Sequence, residues 1–215
     1  MTAQVSATPR QSYHHGDLRQ ALLAAGIELA GEGGPDAVVL REATRRVGVS
    51  PNAAYRHFAD REALLAEVCN ACQSRIAAAM DAAYDAISPG SPSEMALERL
   101  RSVGRSYVGF AQDNPGLFLT AISASPDLEN INLASRAGPS GRTPYGLLTA
   151  ALDELVDTGL MPASRRPQAE FLAWSSVHGL AMLLIEGPLR ALPRPQADGV
   201  TERVVGMVEA AFTAD

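Results

Sequence analysis

The side chains best suited to chemistry in this 215-residue chain are four histidines and two cysteines. His14 and His15 are adjacent, so on an extended segment their imidazoles point in different directions. No cluster of cysteine, histidine and carboxylate side chains supports them as metal ligands. We therefore expect no metal site, and the pair is read as a lead-in to a helix.

Cys69 and Cys72 have the Cys-x-x-Cys spacing of a redox pair. No strand–helix–strand pattern surrounds them, and both lie on or beside the apolar stripe of a long predicted helix. Buried free cysteines are ordinary core residues, so a structural role is favoured over a thiol sensor.

Hydrolytic and nucleotide chemistry find little support in the motifs. The chain has no Gly-x-Ser-x-Gly elbow and no glycine-rich phosphate loop after a strand. The histidines have no acidic partner at a fixed spacing. We predict that the protein is not an enzyme and uses no cofactor.

Composition limits the location and the partners. Hydrophobic residues make up 47% of the chain, yet no stretch reaches the roughly 18 to 20 apolar residues of a membrane span. The polar N-terminus lacks the apolar core of a signal peptide. We expect a soluble, cytoplasmic protein without a membrane partner.

Charge is distributed unevenly. Residues 1–61 hold seven arginines and six acidic residues, whereas 62–215 hold eleven arginines and eighteen acidic residues. Such an acidic protein can bind an anionic polymer only through a local cationic surface, and the N-terminal part is the candidate.

Apolar residues recur at helical spacing almost throughout, without strand-like alternation. The predicted fold is all-α. Caps are expected at Asp17 (paired with Gln20), Ser50, Asp60 and Ser91 (paired with Glu94). The first predicted helix begins at Asp17 and ends at the glycines 31–34. The other predicted helices span 40–47, 51–58, 61–87, 92–113, 145–158, 167–186 and 200–213. A short apolar run covers 117–122, and 123–144 are read mostly as loop.

Residues 40–58 have the lengths of a helix-turn-helix, in which a first helix braces a second that enters the DNA major groove. The expected small core is Leu40, Ala43, Val47, Val49, Ala54 and Phe58. The residues left to face outward are Arg41, Arg45, Asn52, Ala53, Arg56 and His57.

Here the chain resembles a known family. The segments YHHGDLRQALLAAG (13–26) and GVSPNAAYRHFADREALL (48–65) are similar to the DNA-binding region of TetR-family transcriptional regulators. WSSVHG (174–179) resembles the Trp-x-x-x-His-Gly element of a C-terminal ligand-binding domain found in part of that family. Val39 departs from the family's Ser or Thr, so the bracing helix is predicted to lack a side-chain cap.

The resemblance implies roles for individual residues. Tyr55, His57 and Arg61 match phosphate-contacting positions, and Asn52 and Ala53 match base-reading positions. Arg41 and Thr44 border the groove-facing side. His14 lies on an arm expected near the DNA backbone. The full expected DNA-binding set is His14, Arg41, Thr44, Arg45, Asn52, Ala53, Tyr55, Arg56, His57 and Arg61.

Trp174 and His178 share one face of a predicted helix. Either they are core residues, with His178 bonded to a buried partner, or they line a ligand cavity as a stacking surface and a polar handle. The sequence leaves both open. The expected lining is Tyr107, Phe110, Phe118, Trp174, His178 and Met182.

Together these patterns predict a helix-turn-helix domain over residues 13–61 and a ligand-binding and dimerisation domain over 62–215. By resemblance, the function is a homodimeric repressor of a palindromic operator, released by a small, mostly apolar effector. The last two long helices are the expected dimer contact, because Ser175 and Gly179 permit close helix approach. The alternative is a helical small-molecule-binding protein without DNA-binding activity.

Overall fold

A computed structural model describes residues 15–123 and 130–213, with side chains from Leu18 onward. The expectations for His14 and for the Asp17–Gln20 capping box involve groups outside the described set. Within the described ranges there is no strand, which agrees with the all-α prediction. No helix in these ranges is long and apolar enough to cross a bilayer.

The described part contains nine α-helices, numbered in chain order. They are α1 (His15–Ala37), α2 (Leu40–Val47), α3 (Pro51–Ala54), α4 (Arg61–Asp85), α5 (Pro92–Asp113), α6 (Pro115–Ser123), α7 (Pro144–Asp157), α8 (Ala169–Ile185) and α9 (Arg194–Thr213). Short 3₁₀ turns occur at Ala134–Arg136 and Ala163–Arg165.

Local signals fix several helix starts. The Asp60 carboxylate accepts from the Ala63 N–H at 2.8 Å, and Ser91 and Glu94 form the predicted capping box. Val39 provides no side-chain cap, as expected. Ser50 occupies its predicted cap position, but its side chain makes no cap hydrogen bond, so that detail was wrong.

Some predicted bounds were also wrong. The helix beginning at Pro51 ends at Ala54 rather than near Phe58, because the following turn directs Phe58 into the core, where it is 2% exposed. The first helix continues to Ala37 across a break at 33–34. The last helix begins at Arg194, since a proline in a first helical turn forfeits no hydrogen bond.

The helices form two packed groups joined by α4. Helices α1, α2 and α3 share a small core, and α5 packs against α4, α7, α8 and α9 in the larger group. Helix α6 lies along α1 and so bridges the groups. A Cβ at Gly116 would lie 2.3 Å from the Ala30 carbonyl oxygen, so this approach requires glycine.

Candidate functional site

The α2–α3 unit has the predicted helix-turn-helix core. Leu40, Ala43, Ala54 and Phe58 are buried, while Val47 and Val49 are partly buried against them. The turn between the helices begins at Gly48, whose φ of 74° is left-handed and favours glycine. This turn sets the angle at which α3 leaves the body of the protein.

Helix α3 and the turn after it present polar groups outward. Asn52 and Arg56 are exposed, and Tyr55 is 57% exposed. Ala53 and His57 are partly buried beside them. An exposed tyrosine beside an arginine is a surface that suits phosphate contact.

The arginines of this region differ in availability. Among the described residues, neither Arg41 nor Arg56 has a carboxylate partner, and both are exposed. Arg45 instead forms a two-pronged hydrogen bond with Glu42 at 2.9 and 2.6 Å. Arg41 and Arg56 are therefore the cations most available to an anionic polymer.

Arg46, which the sequence reasoning did not single out, joins α2 to α1. Its guanidinium donates to both Glu32 carboxylate oxygens, at 2.9 and 2.5 Å. This hydrogen bond lowers the pKa of Glu32 and raises that of Arg46. The two residues are 14 positions apart on different helices, so no local spacing signals the pair.

Two expected DNA-contacting residues are engaged elsewhere. Thr44 is 2% exposed and its hydroxyl donates to the Arg41 carbonyl at 2.7 Å, so it lies beneath the surface rather than on it. Arg61 donates from Nη2 to the Pro35 carbonyl at 2.7 Å, which ties the start of α4 to the end of α1. The Nη2 group of Arg61 thus has a structural role.

The larger helical group contains a cavity of about 140 Å³ that is partly open to solvent. Its wall comes from α4, α5, α6, α7, α8, α9 and the segment 130–143, and most of it is aliphatic or aromatic. The lining residues are Gln73, Met80, Leu100, Val103, Gly104, Tyr107, Ile122, Ile131, Arg136, Pro144, Tyr145, Leu148, Ala173, Trp174, Val177, Val205 and Val208.

Tyr107 and Trp174 line the cavity, whereas His178 is not among the lining residues and contacts Tyr107 instead. The Trp174 indole N–H donates to the Tyr107 hydroxyl at 3.2 Å, and that hydroxyl lies 3.0 Å from His178 Nδ1. Burial lowers the pKa of His178, which favours the neutral ring, and its Nδ1 shares a hydrogen bond with the Tyr107 hydroxyl. Burial also raises the pKa of Tyr107 to about 12, which keeps it a donor. His178 is therefore a positioning residue for Tyr107.

The remaining expected lining residues do not reach the cavity wall. Phe118 is fully buried, with its ring edge-on to Tyr107 at a centroid distance of 5.2 Å. Phe110 and Met182 are partly buried against the core farther along α5 and α8. Helical spacing placed these side chains on the inward stripes, but only part of each stripe borders the cavity.

Sequence reasoning missed three polar lining residues: Gln73, Arg136 and Tyr145. They come from α4, the 130–143 segment and α7, which meet only in the folded chain. Arg136 lies in the segment predicted to be mostly loop, where periodicity does not show which way a side chain faces.

Both cysteines lie inside the core. Cys69 donates from its thiol to the Ala121 carbonyl at 3.1 Å, and Cys72 is fully buried. Burial raises the pKa of the Cys72 thiol to about 12. Among the described residues, no group of three or more metal-binding side chains is assembled.

Cys72 is expected to be unreactive in the folded protein. At pH 8 only about one thiol in ten thousand with such a pKa is ionised, and the thiolate is the nucleophile. In a Cys69→Ala variant, a thiol reagent should modify Cys72 at least about a hundredfold more slowly under native conditions than in denaturant. Equal rates would show that the thiol is accessible.

Residues 22–68 match the family model for "bacterial regulatory proteins, tetR family", and residues 100–208 match the "tetracyclin repressor-like, C-terminal domain". No curated protein matches the chain.

Solved structures share the fold. A protein of unknown function from Rhodococcus sp. RHA1 is 25% identical, with a TM-score of 0.73, over 95% of this chain and 100% of its own. A TetR-family regulatory protein from Rhodococcus RHA1 is 21% identical, with a TM-score of 0.59, over 92% and 98%. The TetR-family regulator PfmR from Thermus thermophilus is 22% identical, with a TM-score of 0.56, over 87% and 96%.

A tetR-family helix-turn-helix followed by a tetracyclin repressor-like C-terminal domain is the arrangement of a DNA-binding transcriptional regulator and not of an enzyme. The chain belongs to the TetR family of bacterial regulatory proteins. The alternative of a small-molecule-binding protein without DNA-binding activity is therefore not supported.

Proposed function

We propose that this regulator is a homodimeric repressor of a palindromic operator, released by a small, mostly apolar effector. The observation that carries the proposal concerns α4. This helix begins at Arg61, directly after the helix-turn-helix, and its Gln73 and Met80 line the cavity. One rigid element thus touches both the expected DNA-binding part (13–61) and the ligand-binding part (62–215).

The DNA contacts divide into two kinds. Tyr55, His57 and the remaining donors of Arg61 face phosphates, together with Arg41 and Arg56, and these contacts position the protein. Exposed Asn52 and partly buried Ala53 lie on α3, where they read base edges. Because the phosphate contacts are cationic, affinity falls steeply with salt.

The dimer is proposed to form through α8 and α9. Most of the exposed large hydrophobic side chains that the structure describes lie on these helices: Phe171, Leu172, Leu183 and Met207. The hydroxyls of Ser175 and Ser176 both donate to the Leu172 carbonyl, so they leave the face with few unsatisfied polar groups. A Cβ at Gly179 would meet no atom within 4 Å, which leaves room for a second helix.

With its symmetry mates, this pair of helices makes a four-helix bundle that spaces two recognition elements. One four-residue α3 reads too few bases to select an operator, so two copies bind two half-sites. A palindromic operator matches that two-fold symmetry.

Two structural routes connect the cavity to the DNA-binding helices. Helix α4 is the direct one. The second passes from Tyr107 to Phe118 on α6, and from α6 to α1 at Gly116. An effector that binds more tightly to the state in which these helices have shifted favours that state, and operator affinity falls. The effector's difference in affinity for the shifted and unshifted states sets the size of the fall.

Substitutions at Tyr55 and Asn52 test the DNA interface. Tyr55→Phe removes a hydroxyl from a phosphate contact, so we expect affinity to fall about tenfold or more on every duplex. Asn52→Ala should change the preference between the operator and variants of its half-site. Fluorescence anisotropy with duplexes from the upstream intergenic DNA, at several salt concentrations, measures both.

Scrambled duplexes are the control, since Tyr55→Phe weakens binding to them as well. Unchanged affinity of Tyr55→Phe would contradict the phosphate contact. Equal losses on all half-site variants for Asn52→Ala would contradict base reading.

A further inference from the structure

Arg136 is an unusual part of the cavity wall. The residue is 6% exposed, and its Nε donates to the Asn70 side-chain oxygen at 2.9 Å. Within the described ranges, no carboxylate lies at ion-pair distance from this guanidinium. The cavity thus has a permanent positive charge in a mostly apolar wall.

A buried cation without a counter-ion is costly, and arginine stays protonated in proteins. A guanidinium has five N–H donors, and the bond to Asn70 uses only one of them. The terminal nitrogens form a planar fork whose geometry matches the two oxygens of a carboxylate. Among the described residues nothing supplies the matching anion, and a ligand carboxylate can do so.

The apolar wall limits the rest of the ligand. Trp174 and Tyr145 contact each other edge-on, with ring centroids 6.4 Å apart, and together with Val177 they form an aromatic and aliphatic surface. A dry apolar cavity of about 150 Å³ accepts benzene, and the volume here is about 140 Å³. A phosphate dianion would bring more charge than one arginine neutralises.

We infer that the effector is a monocarboxylate with an apolar body about the size of a benzene ring, held by Arg136. The inference rests on the proposed function and names its ligand class. The carboxylate pairs with the terminal nitrogens of Arg136, and the apolar body lies against Trp174 and Tyr145.

The position of Arg136 also connects the ligand charge to α4. Its partner Asn70 is on α4, and two hydrogen bonds join the chain segment that follows Arg136 to the same helix. The Ser74 hydroxyl donates to the Ala137 carbonyl at 2.7 Å, and the Ser140 N–H donates to buried Asp81 at 3.1 Å. A carboxylate that draws Arg136 toward the cavity therefore acts on the helix that begins at the DNA-binding unit.

The test uses the full chain and matched probe pairs: benzoate with benzamide, and phenylacetate with phenylacetamide. Trp174 is the only tryptophan in the sequence and lines the cavity, so its fluorescence reports binding. The carboxylates should bind about ten- to a hundredfold more tightly than their amides, since a hydrogen bond to a charged group is the difference. Arg136→Met should abolish that preference, and Arg136→Lys should retain part of it.

Arg75→Met is the matched control, because Arg75 is an exposed arginine on α4; it should leave the preference unchanged. Without ligand, Arg136→Met should have an unchanged or higher Tm, because replacing an uncompensated buried charge with an apolar side chain is often stabilising. A marked fall in Tm would assign Arg136 to the fold and overturn the inference.

The inference is also wrong if no carboxylate alters Trp174 fluorescence, if the amides bind equally well, or if Arg136→Met keeps the preference. Operator affinity measured with the same probes separates the two proposals. Amides that bind and release DNA as well as the acids would support the effector-responsive repressor alone. Arg136-dependent binding of carboxylates without any change in operator affinity would support the carboxylate site alone.

Discussion

The double substitution Leu172→Glu and Leu183→Glu is expected to convert the proposed dimer to a monomer. The two leucines are 62% and 43% exposed and lie about three helical turns apart on the same face of α8. At a two-fold contact, four carboxylates would be brought together without counter-ions. Like charges placed together in an interface cost several kcal/mol, so the dimer Kd should rise at least about a thousandfold.

Sedimentation velocity measures the change in assembly, and anisotropy measures the accompanying loss of operator binding. Leu133→Glu is the matched control, because Leu133 is 40% exposed and lies outside α8 and α9. It should remain dimeric. A double variant that stays dimeric at low concentration would show that the contact lies on another face.

The second large effect is expected from Gly116→Ala, at the contact between α6 and α1. A Cβ at this position would lie 2.3 Å from the Ala30 carbonyl oxygen and 2.9 Å from that of Gly31. Both atoms belong to backbone, so the clash is relieved only when the helices separate. We expect a loss of about 3 kcal/mol in the free energy of unfolding, and a Tm lower by roughly 6 to 12 °C.

Gly31→Ala provides the control within the same interface. Its Cβ would lie 3.8 Å from Leu117, an ordinary contact, and alanine favours helix by up to about 1 kcal/mol. This variant should be as stable as the parent or slightly more so. Calorimetry measures the Tm of both variants, and urea unfolding measures their free energy of unfolding.

The same variants examine the route from cavity to DNA. If α6 transmits part of the effector's influence, the Gly116→Ala variant should still bind a cavity ligand, as measured by Trp174 fluorescence. The ligand should then change the operator affinity of this variant less than it changes that of the parent. An unchanged response would place the coupling in α4 alone.

Much of the helical framework was predictable because its signals are local. Asp60, Ser91 and Gly48 act within a few residues of their own helix ends, so their effects do not depend on the rest of the fold. The helix-turn-helix core was also predictable, since Leu40 and Phe58 belong to one short contiguous unit. The end of α3 at Ala54 was not predicted, because the turn that directs Phe58 into the core leaves no signal in the helical periodicity.

The site in the larger group depends on tertiary structure. Periodicity marked the inward faces of α5 and α8, but it does not show which helix lies opposite or where packing leaves a void. The hydrogen bonds of Tyr107 with Trp174 and His178 span 67 and 71 positions along the chain, and Arg136 reaches Asn70 across 66.

By itself, the sequence determined the all-α class, the helix-turn-helix and the family resemblance, because each follows from residues close together along the chain. Only the tertiary structure decided that His178 supports Tyr107 instead of lining the cavity, and that Arg136 brings a buried charge to an apolar wall. The physical reason is that a cavity is the space left between side chains from separate helices, so its shape and charge exist only after those helices pack.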